Sequence, residues 1–163
     1  MKKPLVITDL TQMSQNRICI AGYLQDGRCV RPIIDEKLTK NYLKESIITI
    51  IRPFSIVDFN FVEPDARSCP PHTEDWLASP NYCIYLGLLN LEQKRSFLLR
   101  ICDKSVDKIF GATVHKSTGW TSGWYVGRGE GERSLGTIAF RISIGIQRFL
   151  QGIISITYNR FDF

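Results

Sequence analysis

The chain has 163 residues, 44% of them hydrophobic, enough to bury a core and too apolar for a disordered polypeptide. Lys and Arg number 21 against 16 Asp and Glu, a formal charge of +5 that favours polyanionic partners without selecting one. No apolar run approaches the roughly 20 residues that cross a bilayer, and Met1-Lys2-Lys3-Pro4 leads into only a short apolar stretch before Asp9, so neither a membrane span nor an export signal is expected.

Residues 5–63 read mainly as β. Leu5 to Ile7, Arg17 to Tyr23, Arg28 to Ile34, Ser46 to Pro53 and Ser55 to Val62 are rich in Ile, Val, Phe or Thr and are separated by Asp, Asn, Gly or Pro. The second and third of these, joined at Asp26-Gly27, form a hairpin signal studded with Arg17, Arg28 and Arg31. Val57, Phe59 and Phe61 alternate with Asp58 and Asn60, the pattern of a half-buried strand. Leu38 to Glu45 reads as a short helix, and Glu63 to Pro80, with four of the seven prolines, as a connection.

The chain then changes character. Asn90-Leu91-Glu92-Gln93 has the form of a capping box, and Leu91, Phe97, Leu98 and Ile101 follow at helical spacing. Ser105 to Phe110 adds a further turn or two and stops at Gly111. From Ala112 the pattern returns to β. Residues 119–133 hold five of the twelve glycines, and Leu135 to Ile146 and Phe149 to Tyr158 read as two long strands, with Gly145 or Gly152 marking a bulge or turn.

This layout predicts a mainly β protein with a short α-helical segment, built as two small OB-like β-barrels packed together. Residues 1–80 supply the first barrel and a connection, 81–111 a helical connector, and 112–163 the second OB-like β-region. Charge follows the same division. Lys and Arg exceed Asp and Glu by 9 to 5 in residues 1–57 and by 6 to 3 in 111–163, whereas 58–110 hold 6 against 8. Positive charge is thus carried by the β-rich ends.

Arg17-Ile18-Cys19-Ile20-Ala21-Gly22 followed by Cys29-Val30-Arg31-Pro32-Ile33 resembles the N-terminal signature of the dual OB-containing domain family of bacteria, in which Gly-Arg-Cys-(Val/Ile)-Ala-Gly precedes Trp-Ile-Arg-Pro-Val. Here Ile18 separates Arg17 from Cys19, no Gly precedes Arg17, and Cys29 stands in place of Trp. The resemblance extends to Ser134-Leu135-Gly136-Thr137-Ile138. It implies a nucleic-acid-related module linked to defence or DNA processing, and it brings no catalytic residues.

The residues expected to contact nucleic acid are Arg17, Arg28, Arg31, Lys116, Trp120, Trp124, Tyr125, Arg128 and Arg133. Aromatic faces stack on bases and guanidinium groups meet phosphate. Two bland alternatives stand beside this. Trp124 and Tyr125 would belong to a strand core with Glu130 and Glu132 neutralising the arginines, and Arg31 would pair with Asp35 or Glu36.

No metal, cofactor or catalytic site is expected. Cys69, His72 and Cys83, with Cys102 or His115, lack the paired spacing of a zinc site. His115 is the least unsuitable acid or base, and Asp58 with Glu63, or Glu130 with Glu132, offer paired carboxylates, but no nuclease motif frames them. The five cysteines, at 19, 29, 69, 83 and 102, have irregular gaps and suit reduced thiols in a cytoplasm. The function expected is a non-catalytic nucleic-acid-binding module. The alternatives are a scaffolding subunit that docks a protein partner through a sheet edge or the Gly-Trp loop, and a divalent-metal nuclease or hydrolase.

Overall fold

The computed structural model describes residues 1–34, 38–45, 48–64, 70, 72–117, 123–127, 129–144 and 148–157. The chain divides into two compact units, one of Met1–Ser68 with Glu74–Phe97, the other of Cys69–Thr73 with Leu98–Phe163.

The first unit is a closed five-stranded barrel. Its strands are β1 (Lys2–Gln12), β2 (Ile18–Leu24), β3 (Cys29–Ile33), β6 (Ser55–Pro64) and β7 (Asp75–Leu88), with a 3-10 turn at Lys40–Leu43 and a small pair, β4 (Lys44–Glu45) and β5 (Ile48–Thr49), between β3 and β6. The barrel order is β1-β2-β3-β7-β6, closing β6 on β1, and every pairing is antiparallel except β3 with β7. This agrees with the small OB-like barrel expected for this part of the chain.

Alternation fills the barrel. Leu5, Ile7, Ile18, Ile20, Val30, Val57, Phe59, Phe61, Trp76 and Ala78 are buried in one cluster, each strand giving every second residue. The outer face of β2 is buried too. Tyr23 stands edge-on to Phe97 of α1 (Leu91–Ile101), with ring centroids 6.2 Å apart at 79°. The helix begins as its sequence specifies: Gln93 N–H donates to Asn90 Oδ1 and Asn90 N–H to Gln93 Oε1, both at 2.9 Å.

The β2–β3 hairpin is formed, with Gly22 opposite Val30 and Tyr23 opposite Cys29. Gly27 N–H donates to Leu24 O at 3.0 Å and Leu24 N–H to Arg28 O at 2.9 Å, a three-residue loop that needs Gly27 at φ 86.

Three expectations are corrected. Among the described residues the stretch Ser46 to Pro53 is strand only at Ile48–Thr49, and the short helix expected over Leu38 to Glu45 is a 3-10 turn at Lys40–Leu43 followed by β4. Glu63 to Pro80 is not all connection, because β6 runs to Pro64 and β7 begins at Asp75. Pro80 is accommodated because the β6–β7 register jumps from Phe61 opposite Ala78 to Phe59 opposite Cys83, lifting residues 79–82 out of the ladder. β7 then continues to Leu88, through positions read as connector.

The second unit holds α2 (Val106–Phe110), β8 (His115–Lys116), β9 (Trp124–Tyr125), β10 (Leu135–Ile144) and β11 (Arg148–Thr157). α2 ends at Gly111 with φ 62, as its sequence position requires. β10 and β11 pair in unbroken register from Leu135 opposite Thr157 to Ile144 opposite Arg148, and Gly152 faces Phe140 without a bulge. Gly145 lies outside the described residues. Ile109, Phe110 and Val126 form a small buried cluster with Ile138 against it. Among the described residues this unit contains two-stranded sheets and no closed barrel.

Candidate nucleic-acid interface

The nine expected contact residues separate into distinct environments. Trp120 and Arg128 lie outside the described residues, as do Asp35 and Glu36. Of the other seven, two arginines are held within the fold. Arg31 donates from Nε to Asp75 Oδ1 at 2.5 Å, with Glu74 Oε1 4.0 Å from its guanidinium, and its side chain is 15% exposed. The expected ion-pair partner was close in sequence; the observed one is 44 residues away, brought alongside by the parallel β3–β7 pairing. Arg133 donates from Nε to the Ile109 carbonyl at 2.6 Å and also bonds the Asp103 carboxylate, so it ties down the C-terminal end of α2. Its partner is neither Glu130 nor Glu132.

Arg17 donates from Nε to the Ser14 carbonyl at 3.4 Å beside the bridge between Arg17 and Thr39. Arg28 is exposed and engages Asp26 through Nε at 3.0 Å and a terminal nitrogen at 2.7 Å. The Arg28 hydrogen bonds hold the Asp26 carboxyl below its ordinary range.

The same guanidinium lies 5.2 Å from the Trp76 ring centroid, and Lys3 Nζ lies 5.3 Å from it. Lys3 shares the parity of Leu5 and Ile7 along β1 and Arg28 immediately precedes β3, and both cations lie beside Trp76, a member of the barrel core that packs edge-on to Phe61 at 5.6 Å. A depression of about 330 Å³ adjoins this rim, lined by Lys3, Pro4, Leu24, Gln25 and Asp26. Lys2 Nζ stands 4.5 Å over the Tyr82 ring, whose hydroxyl donates to Asp58 at 2.9 Å. Lys2, Lys3, Trp76 and Tyr82 were not singled out by sequence. The signal available was the Lys2-Lys3 pair at the start of an alternating strand; Trp76 was hidden in a proline-rich stretch read as connection.

Lys116, Trp124 and Tyr125 are brought together on the β8–β9 ribbon of the second unit. Lys116 faces Trp124 and His115 faces Tyr125, and Ser117 N–H donates to the Gly123 carbonyl at 2.8 Å. Lys116 Nζ is 6.0 Å from the Trp124 centroid, while the His115 and Tyr125 rings are 5.4 Å apart and tilted by 32°. Trp124 is 70% exposed and Tyr125 48%, so the strand-core alternative for this pair does not hold. Glu130 Oε2 lies 3.7 Å from His115 Nε2.

Cys19 has its thiol pushed up by burial, an effect opposed by the neighbouring Arg31 guanidinium. His72 Nδ1 meets Ser134 Oγ at 2.9 Å, but Ser134 is fully buried. Among the described residues no three His, Cys, Asp or Glu side chains converge as metal ligands, and no helix is long and apolar enough to cross a membrane. No family model, curated protein or solved structure matches the chain.

Proposed function

We propose that the chain is a non-catalytic nucleic-acid-binding module of two OB-like β-regions, related to the dual OB-containing domain family and acting in a reducing cytoplasm. The observation that carries the reading is the β8–β9 ribbon. Large aromatic side chains normally gain about 1.5–3 kcal/mol each by burial, yet Trp124 and Tyr125 are left in solvent next to Lys116. An exposed ring beside a cation suits stacking on a base together with phosphate contact.

On the first unit, Arg28, Lys3 and Lys2 supply further positive charge around the barrel rim. Arg31 and Arg133 have structural partners and are not counted among the contacts. The basic ends of the chain and the resemblance of Arg17 to Ile33 support the same reading. The second OB-like region is part of the proposal, with the long β10–β11 hairpin as its support.

Fluorescence anisotropy with labelled single-stranded DNA, RNA and duplex, at low and moderate salt, tests the proposal. Binding should weaken steeply as salt rises. Absence of binding to all three at low salt rejects it.

A second reading, docking of a protein partner, is favoured by β7. Its Ile84 and Leu86 are 46% and 53% exposed on a stretch from Tyr82 to Leu91 that has no charged residue. A stoichiometric partner retained from the native host after nuclease treatment would support it.

A further inference from the structure

We infer that the β8–β9 ribbon is a wedge for the junction where a nucleic-acid duplex opens into two strands; this rests on the nucleic-acid reading above. Successive residues of a strand point to opposite faces. The register of His115 with Tyr125 and Lys116 with Trp124 therefore puts one aromatic ring on each face of the ribbon. The contacts agree: Lys116 lies with Trp124, and His115 with Tyr125. Both rings are exposed, so neither face of the ribbon is covered at these positions.

Spacing then selects the ligand. Rings on opposite faces of a β-layer stand roughly 10 Å apart, judged from the thickness of such a layer. Bases along one strand of a stacked helix are roughly 3.4 Å apart. The two rings therefore cannot stack on successive bases of a strand that keeps its helical stacking, and a closed duplex has no gap of that width. A junction has both an end base pair and parted strands, so each ring meets a different strand. Charge orients the contact. Lys116 offers a cation on the Trp124 face, whereas Glu130 puts a carboxylate beside His115 on the other. The phosphate backbone is accordingly drawn to the Trp124 face.

The test uses the full chain and three labelled probes of common sequence: a fork with two unpaired arms, the corresponding blunt duplex, and the single strand, each as DNA and as RNA. The fork should bind about tenfold more tightly than either other form. Trp124→Ala and Tyr125→Ala should each remove most of that preference, and Trp124→Phe, which keeps a ring, should retain it. Both positions are exposed, so thermal melts of the same samples should be unchanged. Equal affinity for fork and single strand overturns the wedge and leaves the nucleic-acid reading standing. A fork preference that survives both alanine variants also overturns it, and no binding to any probe overturns both.

Discussion

Arg31 and Asp75 are register partners across the barrel's one parallel strand pair, and the Arg31 Nε donates to the Asp75 carboxylate at 2.5 Å. The arginine is mostly buried, with Glu74 as a second, longer contact. Its position explains how β3 tolerates Pro32. Arg31 N–H donates to the Glu74 carbonyl on the β7 side, so the next position faces β2, whose pairing with β3 ends at Gly22 and Val30. The ion pair and the proline thus belong to one device that fixes the parallel pairing.

Removing the carboxylate takes away the closest charged partner of a partly buried guanidinium. Asp75→Ala should cost about 2–3 kcal/mol of unfolding free energy. Urea denaturation measures this, and a loss below about 0.5 kcal/mol would mean that solvent satisfies Arg31 as well as Asp75 does.

Two glycines of the opening hairpin should respond differently to alanine. A Cβ at Gly22 collides with the Val6 carbonyl oxygen on β1, so Gly22→Ala must push backbone apart and should cost about 2–3 kcal/mol. Gly27 has open space around it and φ 86, so Gly27→Ala meets only backbone strain of about 1 kcal/mol. Equal midpoints for the two variants in the same denaturation series would contradict the close β1–β2 approach.

Much of the first barrel was legible because its signals are local. Val57, Phe59 and Phe61 alternate in sequence and are buried; the Asn90–Gln93 box caps α1; Asp26-Gly27 turns the hairpin. β7 was missed because Pro80 and the charged residues before Trp76 read as a break. Only the bulge formed against β6 makes a strand there, and a bulge depends on the partner strand. Within the candidate site the exposed aromatic and basic residues were legible in sequence, whereas the partners of Arg31 and Arg133 were not. Lys116, Trp124 and Tyr125 lie close together in sequence and are joined by a short ribbon. Arg31 and Arg133 look like surface cations until Asp75 and Asp103, 44 and 30 residues away, are brought to them.

Burial raises the thiol of Cys19, and burial with the neighbouring Asp103 carboxylate raises that of Cys102. Both should alkylate more slowly in the folded than in the unfolded protein at mildly alkaline pH, as followed by mass spectrometry. The linked stability change has a definite sign. The unfolded chain releases these protons first, so their contribution is intact below the ordinary thiol value and is lost as pH rises from there through the raised folded value. Faster labelling of Cys19 in the folded state would show that its thiol is not shielded.

The Asp26 carboxyl is held low by its hydrogen bonds to Arg28, so the unfolded chain takes up that proton first on acidification. The pair's contribution is present above the ordinary Asp value and disappears as pH falls through the lower folded value. Because both groups are exposed, Asp26→Asn should cost less than about 1 kcal/mol at neutral pH. It also removes the charge that occupies Arg28. Affinity for a polyanion at low salt should therefore rise in Asp26→Asn, and a fall measured by anisotropy would remove Arg28 from the contact surface.

The two chemical parts of the β8–β9 ribbon can be separated by salt. Lys116 contributes charge, so Lys116→Ala should weaken binding to all sequences and flatten the plot of log affinity against log salt by about one unit of slope. Trp124 contributes a stacking face, so Trp124→Ala should weaken binding by about 1–3 kcal/mol while leaving the slope unchanged. Glu130→Gln removes an anion beside His115 and should strengthen binding, most at low ionic strength. Lys108→Ala supplies the comparison, since its side chain is also an exposed cation but its backbone carbonyl, not its charge, contacts Arg133. If Lys108→Ala and Lys116→Ala flatten the slope equally, the attraction is a property of net charge, and Lys116 has no special place beside Trp124.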